Sequence, residues 1–146
     1  MHTIRRCRSD DFDAVLALLR QLWPARELDV SSLREVYRKG LASDRQAYLC
    51  AADAGGKLIA FGSLSVRNSI WQQGPLANVD ELVVGEQWRG RGIGTDMLER
   101  LSDCAREMGC RRIELDSALH RKEAHAFYES RGFERMSFLF TRPLEE

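Results

Sequence analysis

The stretch Gln87-Trp88-Arg89-Gly90-Arg91-Gly92-Ile93-Gly94-Thr95 limits what this chain can fold into more than any other. Glycines fill positions 90, 92 and 94, and arginines stand at 89 and 91. The apolar run Leu82-Val83-Val84 precedes it, and Ile93, Met97, Leu98, Leu101, Ala105 and Met108 follow at helical spacing. That pattern predicts a strand, a glycine turn and a helix. The first N–H groups of a helix lack intrahelical partners, and its dipole favours negative charge there. Glycine lets the backbone come close to a ligand, and arginine adds charge-assisted donors. The turn therefore reads as a phosphate site.

Two familiar phosphate motifs do not fit. A Walker loop ends in Gly-Lys-Ser/Thr, whereas this turn ends in Ile93-Gly94-Thr95 without the lysine. A dinucleotide fingerprint needs a glycine where Thr95 stands. A turn with solvated arginines is the plainer alternative, but one glycine would suffice for that.

Residues 1–146 read as one domain, long enough for a substantial core. Twenty-two basic residues balance 22 acidic ones, so no global field points to nucleic acid or membrane. No apolar run reaches membrane-spanning length and no signal-peptide pattern opens the chain. Cys7, Cys50, Cys104 and Cys110 are scattered, which fits buried thiols in a reducing cytoplasm. His2, His120 and His125 are not paired with strong ligands at metal spacing, so no metal is expected.

Along the chain, Thr3–Arg8 reads as a short strand. Ser9 is placed to cap a helix whose apolar face holds Phe12, Val15, Leu16, Leu19, Leu22 and Trp23. Trp23-Pro24 ends that helix. Ser32 and Glu35 have capping-box spacing for a second helix to about Leu41. Trp23 and Tyr37 could line a pocket, although aromatics at helical spacing are ordinarily core. Ala47–Ala52 and Leu58–Val66 form a hairpin across Asp53–Lys57. Arg67–Leu76 reads as a loop, either shaping a second-substrate site or a plain connection. Ala77–Val84, the long helix, Arg111–Asp116, a helix over Lys122–Arg131 and a last strand over Glu134–Thr141 complete the chain.

The spacing Gln87-x-x-Gly90-x-Gly92 resembles the acyl-coenzyme A pyrophosphate motif of the GNAT superfamily of N-acetyltransferases. Ala124-His125-Ala126-Phe127-Tyr128-Glu129-Ser130-Arg131-Gly132-Phe133 is similar to its other signature, Ala-x-x-Phe-Tyr-x-x-x-Gly-Phe. The resemblance covers nearly the whole chain and implies an α/β (α+β) GNAT fold. Its mixed, mostly antiparallel sheet would be flanked by helices in the order β-α-α-β-β-β-α-β-α-β.

It also implies acetyl-coenzyme A as co-substrate, transferring its acetyl group directly to a primary amine of a small molecule. The co-substrate's pyrophosphate would lie over Arg89, Gly90, Arg91, Gly92, Ile93, Gly94 and Thr95, with Gln87 at the motif's edge. Leu82, Val83 and Val84 would supply the strand that grips the acyl arm, through backbone groups freed by a splay. Tyr128 would protonate the departing thiolate. Glu81 would be the general base, with Asp80 as fallback because neighbours on a regular strand face opposite ways. Arg121 stands where many members carry asparagine, and could hold the co-substrate, an anionic amine, or only water.

The string Glu114-Leu115-Asp116-Ser117 with Arg121, Phe138 and Phe140 looks most like the aminoalkylphosphonate and small-amine branch. Polyamines, aminoglycosides and peptide amines remain alternatives, as does a non-catalytic acyl-coenzyme A sensor. The resemblance allows a homodimer and implies neither a nucleic-acid nor a membrane partner.

Overall fold

The computed structural model describes residues 1–145. Five strands form one sheet in the order β1-β2-β3-β4-β5. They are β1 (His2–Arg6), β2 (Gln46–Asp53), β3 (Leu58–Ser69), β4 (Gly74–Val84) and β5 (Ile113–Leu115). The β1–β2, β2–β3 and β3–β4 pairs are antiparallel. The helices are α1 (Phe12–Leu22), α2 (Val30–Ala42), α3 (Ile93–Glu107) and α4 (Lys122–Ser130). No helix among the described residues is long and apolar enough to cross a membrane.

The chain divides into two compact units, Met1–Glu114 and the segment from Leu115 onward. In the first, strand alternation assigns opposite faces of the sheet to different helices. Cys50, Phe61 and Val83 join Phe12, Val15, Leu16 and Leu19 of α1 and Tyr37 of α2 in one buried cluster. On the other face, α3 packs against β2, β3 and β4, burying Met97, Leu98 and Leu101. Gly62 permits that approach, since a Cβ there would lie 3.0 Å from Leu101 Cδ1 and 3.3 Å from Met97 Cε. The four cysteines are buried free thiols. Tyr37 is core, its hydroxyl donating to Arg8 O at 2.7 Å, and Trp23 packs half-buried against the same cluster.

Several local expectations are corrected. Ser9 does not cap α1: a 3₁₀ turn over Ser9–Asp11 leads into the helix. The Asp11 carboxylate accepts from Arg8 N and from both terminal nitrogens of Arg5, and the guanidinium holds it below the usual carboxylate range. Asp29, not Ser32, caps α2, accepting from Ser32 N at 3.2 Å. The loop expected over Arg67–Leu76 is mostly strand. β3 and β4 pair as far as Ser69 with Gly74, leaving exposed Ile70 and Trp71 in the tip.

The final strand expected over Glu134–Thr141 is not formed. Residues 133–145 carry no regular secondary structure, and Met136, Phe138 and Phe140 are 68%, 73% and 91% exposed. Alternation supplies a face for a strand, but a strand exists only when its backbone groups find a partner ladder. Among the described residues none pairs with this segment.

Candidate active site

In the first unit, three consecutive segments of the chain build one site: the bulged middle of β4, its free end, and the glycine turn into α3. The bulge is visible in the register. Ser63 pairs with Glu81 and Leu64 with Val79, so Asp80 is the extra residue on β4. The irregularity separates the two neighbouring acids. Asp80 is exposed and accepts from Asn78 Nδ2 at 2.8 Å. Glu81 is half-buried beside Ser63, whose hydroxyl donates to Glu81 Oε1 and accepts from Glu81 N at 3.0 Å.

Burial raises the Glu81 pKa above the ordinary glutamate value. The Ser63 hydroxyl opposes that shift and the Asp80 charge adds to it. A carboxyl whose folded pKa is raised contributes stability below its unfolded pKa and loses it as pH rises through the folded value. Glu81→Gln keeps an acceptor for Ser63 and has no charge to bury. Its melting temperature relative to the parent protein is therefore expected to rise as pH increases through the carboxylate range. Thermal melts across that range give the sign directly, and a pH-independent difference would contradict a buried, titrating Glu81.

Beyond the bulge, the direction of each backbone group follows from one hydrogen bond. Gly85 N donates to Ile59 O at 2.7 Å. Antiparallel partners alternate, so Val83 faces β3 while Leu82 and Val84 turn their N–H and C=O groups to the opposite edge. Ala77 N donates to Arg112 O, one residue before β5 begins. β5 has only three residues, so its ladder falls near Ala77 and short of Leu82–Val84. Within the first unit, the edge groups of Leu82 and Val84 find no strand partner on that side, and Arg89 Nε donates to Val84 O at 3.1 Å. Val83 contributes its side chain to the core.

The turn has the form its sequence predicts. After a 3₁₀ segment over Glu86–Trp88, Gly90 and Gly92 take φ of 77° and 82°. Few side chains tolerate that region. A Cβ at either glycine would meet nothing within 4 Å, so both line open space. Gly92 is the N-cap of α3 and no side chain caps the helix. Asp96 N makes the first intrahelical bond, to Gly92 O. The N–H groups of Ile93, Gly94 and Thr95 precede it and have no backbone partner among the described residues. Ile93 is buried, so it serves by backbone alone. Arg91 stacks on Trp88, its guanidinium carbon 4.9 Å from the ring centre, and Gln87 is exposed. These donors fit a diphosphate.

A model of the acetyltransferase (GNAT) family matches residues 12–133. This chain belongs to that family. Among curated relatives, the GNAT chain is 29% identical to the aminoalkylphosphonate N-acetyltransferase of Salmonella typhimurium. That match covers 97% of this chain and 90% of the relative. It is 32% identical to the probable glucosamine 6-phosphate N-acetyltransferase 2 of Oryza sativa subsp. japonica, over 89% and 80%. A crystal form of aminoglycoside N-acetyltransferase AAC(6')-Iy in complex with CoA superposes with a TM-score of 0.86 at 21% identity. It covers 99% of this chain and 95% of that one, and at this identity it speaks for the fold. The α/β architecture is therefore the GNAT fold.

The second unit holds the other signature of the GNAT chain. Tyr128 lies on α4 between the rings of Phe127 and Phe133, at centroid distances of 5.5 and 5.9 Å and steeply inclined to both. Burial pushes its phenol up, and the nearby Arg121 charge works the other way. No hydrogen bond to the Tyr128 hydroxyl forms among the described residues, so the helix is not anchored through it. Arg121 is the exposed N-cap of α4. His125 Nε2 lies 2.9 Å from Ala118 O, fastening the helix to the segment before it.

Sequence reasoning passed over Ser63 and the tether from Arg89 to Val84. Ser63 stood in an apolar strand with no motif around it. The tether depends on a three-dimensional turn that no spacing rule encodes.

Proposed function

We propose that this GNAT protein transfers the acetyl group of acetyl-coenzyme A to a primary amine of a small molecule, with a preference for amines carrying an anionic group. The observation that supports it best is the uncapped α3 N-terminus behind two left-handed glycines, set directly after a strand end with free backbone groups. Gly90 to Thr95 with Arg89, Arg91 and Gln87 would hold the diphosphate. The open N–H groups of Leu82 and Val84 would line the acyl arm, and one of them would polarise the thioester carbonyl as charge develops on its oxygen.

An ammonium has no lone pair, so a base must remove its proton before attack. Glu81 is assigned that role. Its raised pKa brings it closer to that of an amine than an ordinary glutamate, while leaving it the acid-limb group of the pH–rate profile. Tyr128 is assigned the proton returned to the thiolate, and its phenol stays protonated at neutral pH. Arg121 is a candidate partner for a phosphate or for the anionic end of the amine. Arg67 on β3 is a second cation that could take the anionic end, and its guanidinium lies 3.7 Å from the Glu114 carboxylate. The chemistry needs no metal and no covalent acyl-enzyme. We assign the protein to the cytoplasm, where acetyl-coenzyme A is available, and allow that it works as a homodimer.

The anionic preference is supported by the names of the two relatives, since aminoalkylphosphonates and glucosamine 6-phosphate are both amines bearing a phosphorus oxyanion. Competition tests it. Excess aminomethylphosphonate is expected to slow acetylation of a generic primary amine more than the same concentration of spermidine, followed by coenzyme A thiol release. If spermidine is both the stronger competitor and the better substrate, the anionic preference is wrong. Absence of thiol release with any of phosphonates, amino sugars, aminoglycosides, polyamines or peptide amines would favour a sensor that binds without turning over.

A further inference from the structure

We propose that Ser63 is a positioning residue for the reaction, holding the Glu81 carboxylate in a single orientation through a closed ring of hydrogen bonds. The proposal rests on Glu81 being the base. Ser63 is the one polar side chain among the described residues that is fully buried, at 0% exposure. It sits on β3 directly opposite Glu81, at the last paired position before the bulge. Its oxygen accepts the Glu81 backbone N–H at 3.0 Å, and its proton goes to Glu81 Oε1. The ring thus begins and ends on the same residue. The backbone of Glu81 locates the hydroxyl, and the hydroxyl locates the carboxylate.

Chemistry gives that ring a purpose. A glutamate side chain has three rotatable bonds, and proton transfer needs the acceptor oxygen within hydrogen-bond reach of the amine. With Oε1 engaged by Ser63, Oε2 is the oxygen left for the incoming proton, directly or through a water. The same hydroxyl stabilises the charged carboxylate and so offsets part of the cost of burying it. Serine is also the smallest side chain able to do both, at a position closed to solvent. Of the other ionisable groups, the Asp80 charge on the same strand raises the Glu81 pKa, and the neutral Tyr48 phenol on β2 feels the Glu81 charge. Neither bonds to its carboxylate among the described residues.

Two measurements on the intact chain test the assignment. The first needs no substrate: carboxyl-carbon NMR titration of Glu81, its signal assigned by loss in Glu81→Gln. Ser63→Ala is expected to move the Glu81 midpoint to higher pH, and Ser63→Thr, which restores the hydroxyl, to bring it back. The second follows coenzyme A release with acetyl-coenzyme A and aminomethylphosphonate. Ser63→Ala should lower kcat/KM at neutral pH by roughly tenfold, the scale of one hydrogen bond to a charged group. The acidic limb of the profile should shift the same way as the NMR midpoint, and Ser63→Ala should add no further loss in the Glu81→Gln background.

Thermal melts establish that each variant is folded, and should the added methyl of Ser63→Thr prove too large, Ser63→Ala alone carries the NMR result. An unmoved Glu81 midpoint in a folded Ser63→Ala protein overturns the proposal. So does a native acidic limb in Ser63→Ala when Glu81→Gln is slow. If Glu81→Gln turns over like the parent protein, the base assignment fails instead, and the positioning role falls with it.

Discussion

Gly92→Val is expected to weaken acetyl-coenzyme A binding by on the order of a hundredfold or more while the sheet and its helices stay folded. Gly92 holds a φ of 82°, and nothing in the protein lies within 4 Å of where its Cβ would be. The new side chain therefore meets no protein atom. In the proposed complex it would crowd the turn that leads into the Ile93, Gly94 and Thr95 N–H groups, where the diphosphate would lie. The strain of a β-branched residue in the left-handed region costs about 1–2 kcal/mol. A domain stable by about 5–15 kcal/mol survives that. Losing two charge-assisted hydrogen bonds at about 1.5 kcal/mol each weakens binding by on the order of a hundredfold or more. Titration calorimetry reads the affinity and circular dichroism the fold. Parental affinity in a folded variant would remove the turn from the binding site.

Tyr128→Phe should have the opposite profile, with co-substrate affinity retained and turnover lost. The ring is held edge-on by Phe127 and Phe133, and those contacts do not need the hydroxyl. Nor does any hydrogen bond within the described residues depend on it. The substitution thus deletes a proton donor and little else. A general acid is worth on the order of 10²–10⁴-fold. The loss should appear in kcat, because the thiolate needs its proton only as the bond to sulfur breaks. The difference between the two variants is the informative result: one loses binding with its chemistry untried, the other binds and stalls. A Tyr128→Phe protein with the parental turnover number would return the residue to a packing role.

The parts of this molecule legible in its sequence are those with a short-range physical code. The form of the turn could be read because an apolar run, closely spaced glycines and a helical period follow one another, and Gly90 and Gly92 take left-handed φ just before α3. The α3 face could be read because Ile93, Met97, Leu98 and Leu101 obey one period and are all buried. Most of what escaped was set by pairing between distant segments. The different surroundings of Asp80 and Glu81 come from a bulge that exists only in the register of β3 against β4. At the helix starts, Asp29 rather than Ser32 is the cap of α2, accepting from Ser32 N, and the Asp11 carboxylate accepts from Arg8 N in the turn before α1, where Ser9 was expected to cap. The strand expected at Glu134–Thr141 had the right alternation, and lacked the one thing alternation cannot supply, a neighbour.

The bond from Arg89 to the carbonyl of Val84 gives the turn a mechanical property. The two stand five positions apart, and the bond closes the chain between them into a loop. Arg91 is meanwhile parked on the Trp88 ring. Free arginines each surrender rotamer entropy when they capture an anion, on the order of 0.5–1.5 kcal/mol for a long side chain. These two have surrendered much of it during folding. In the proposed complex a diphosphate would meet cations already partly ordered, and less of its binding energy would go to ordering the receptor.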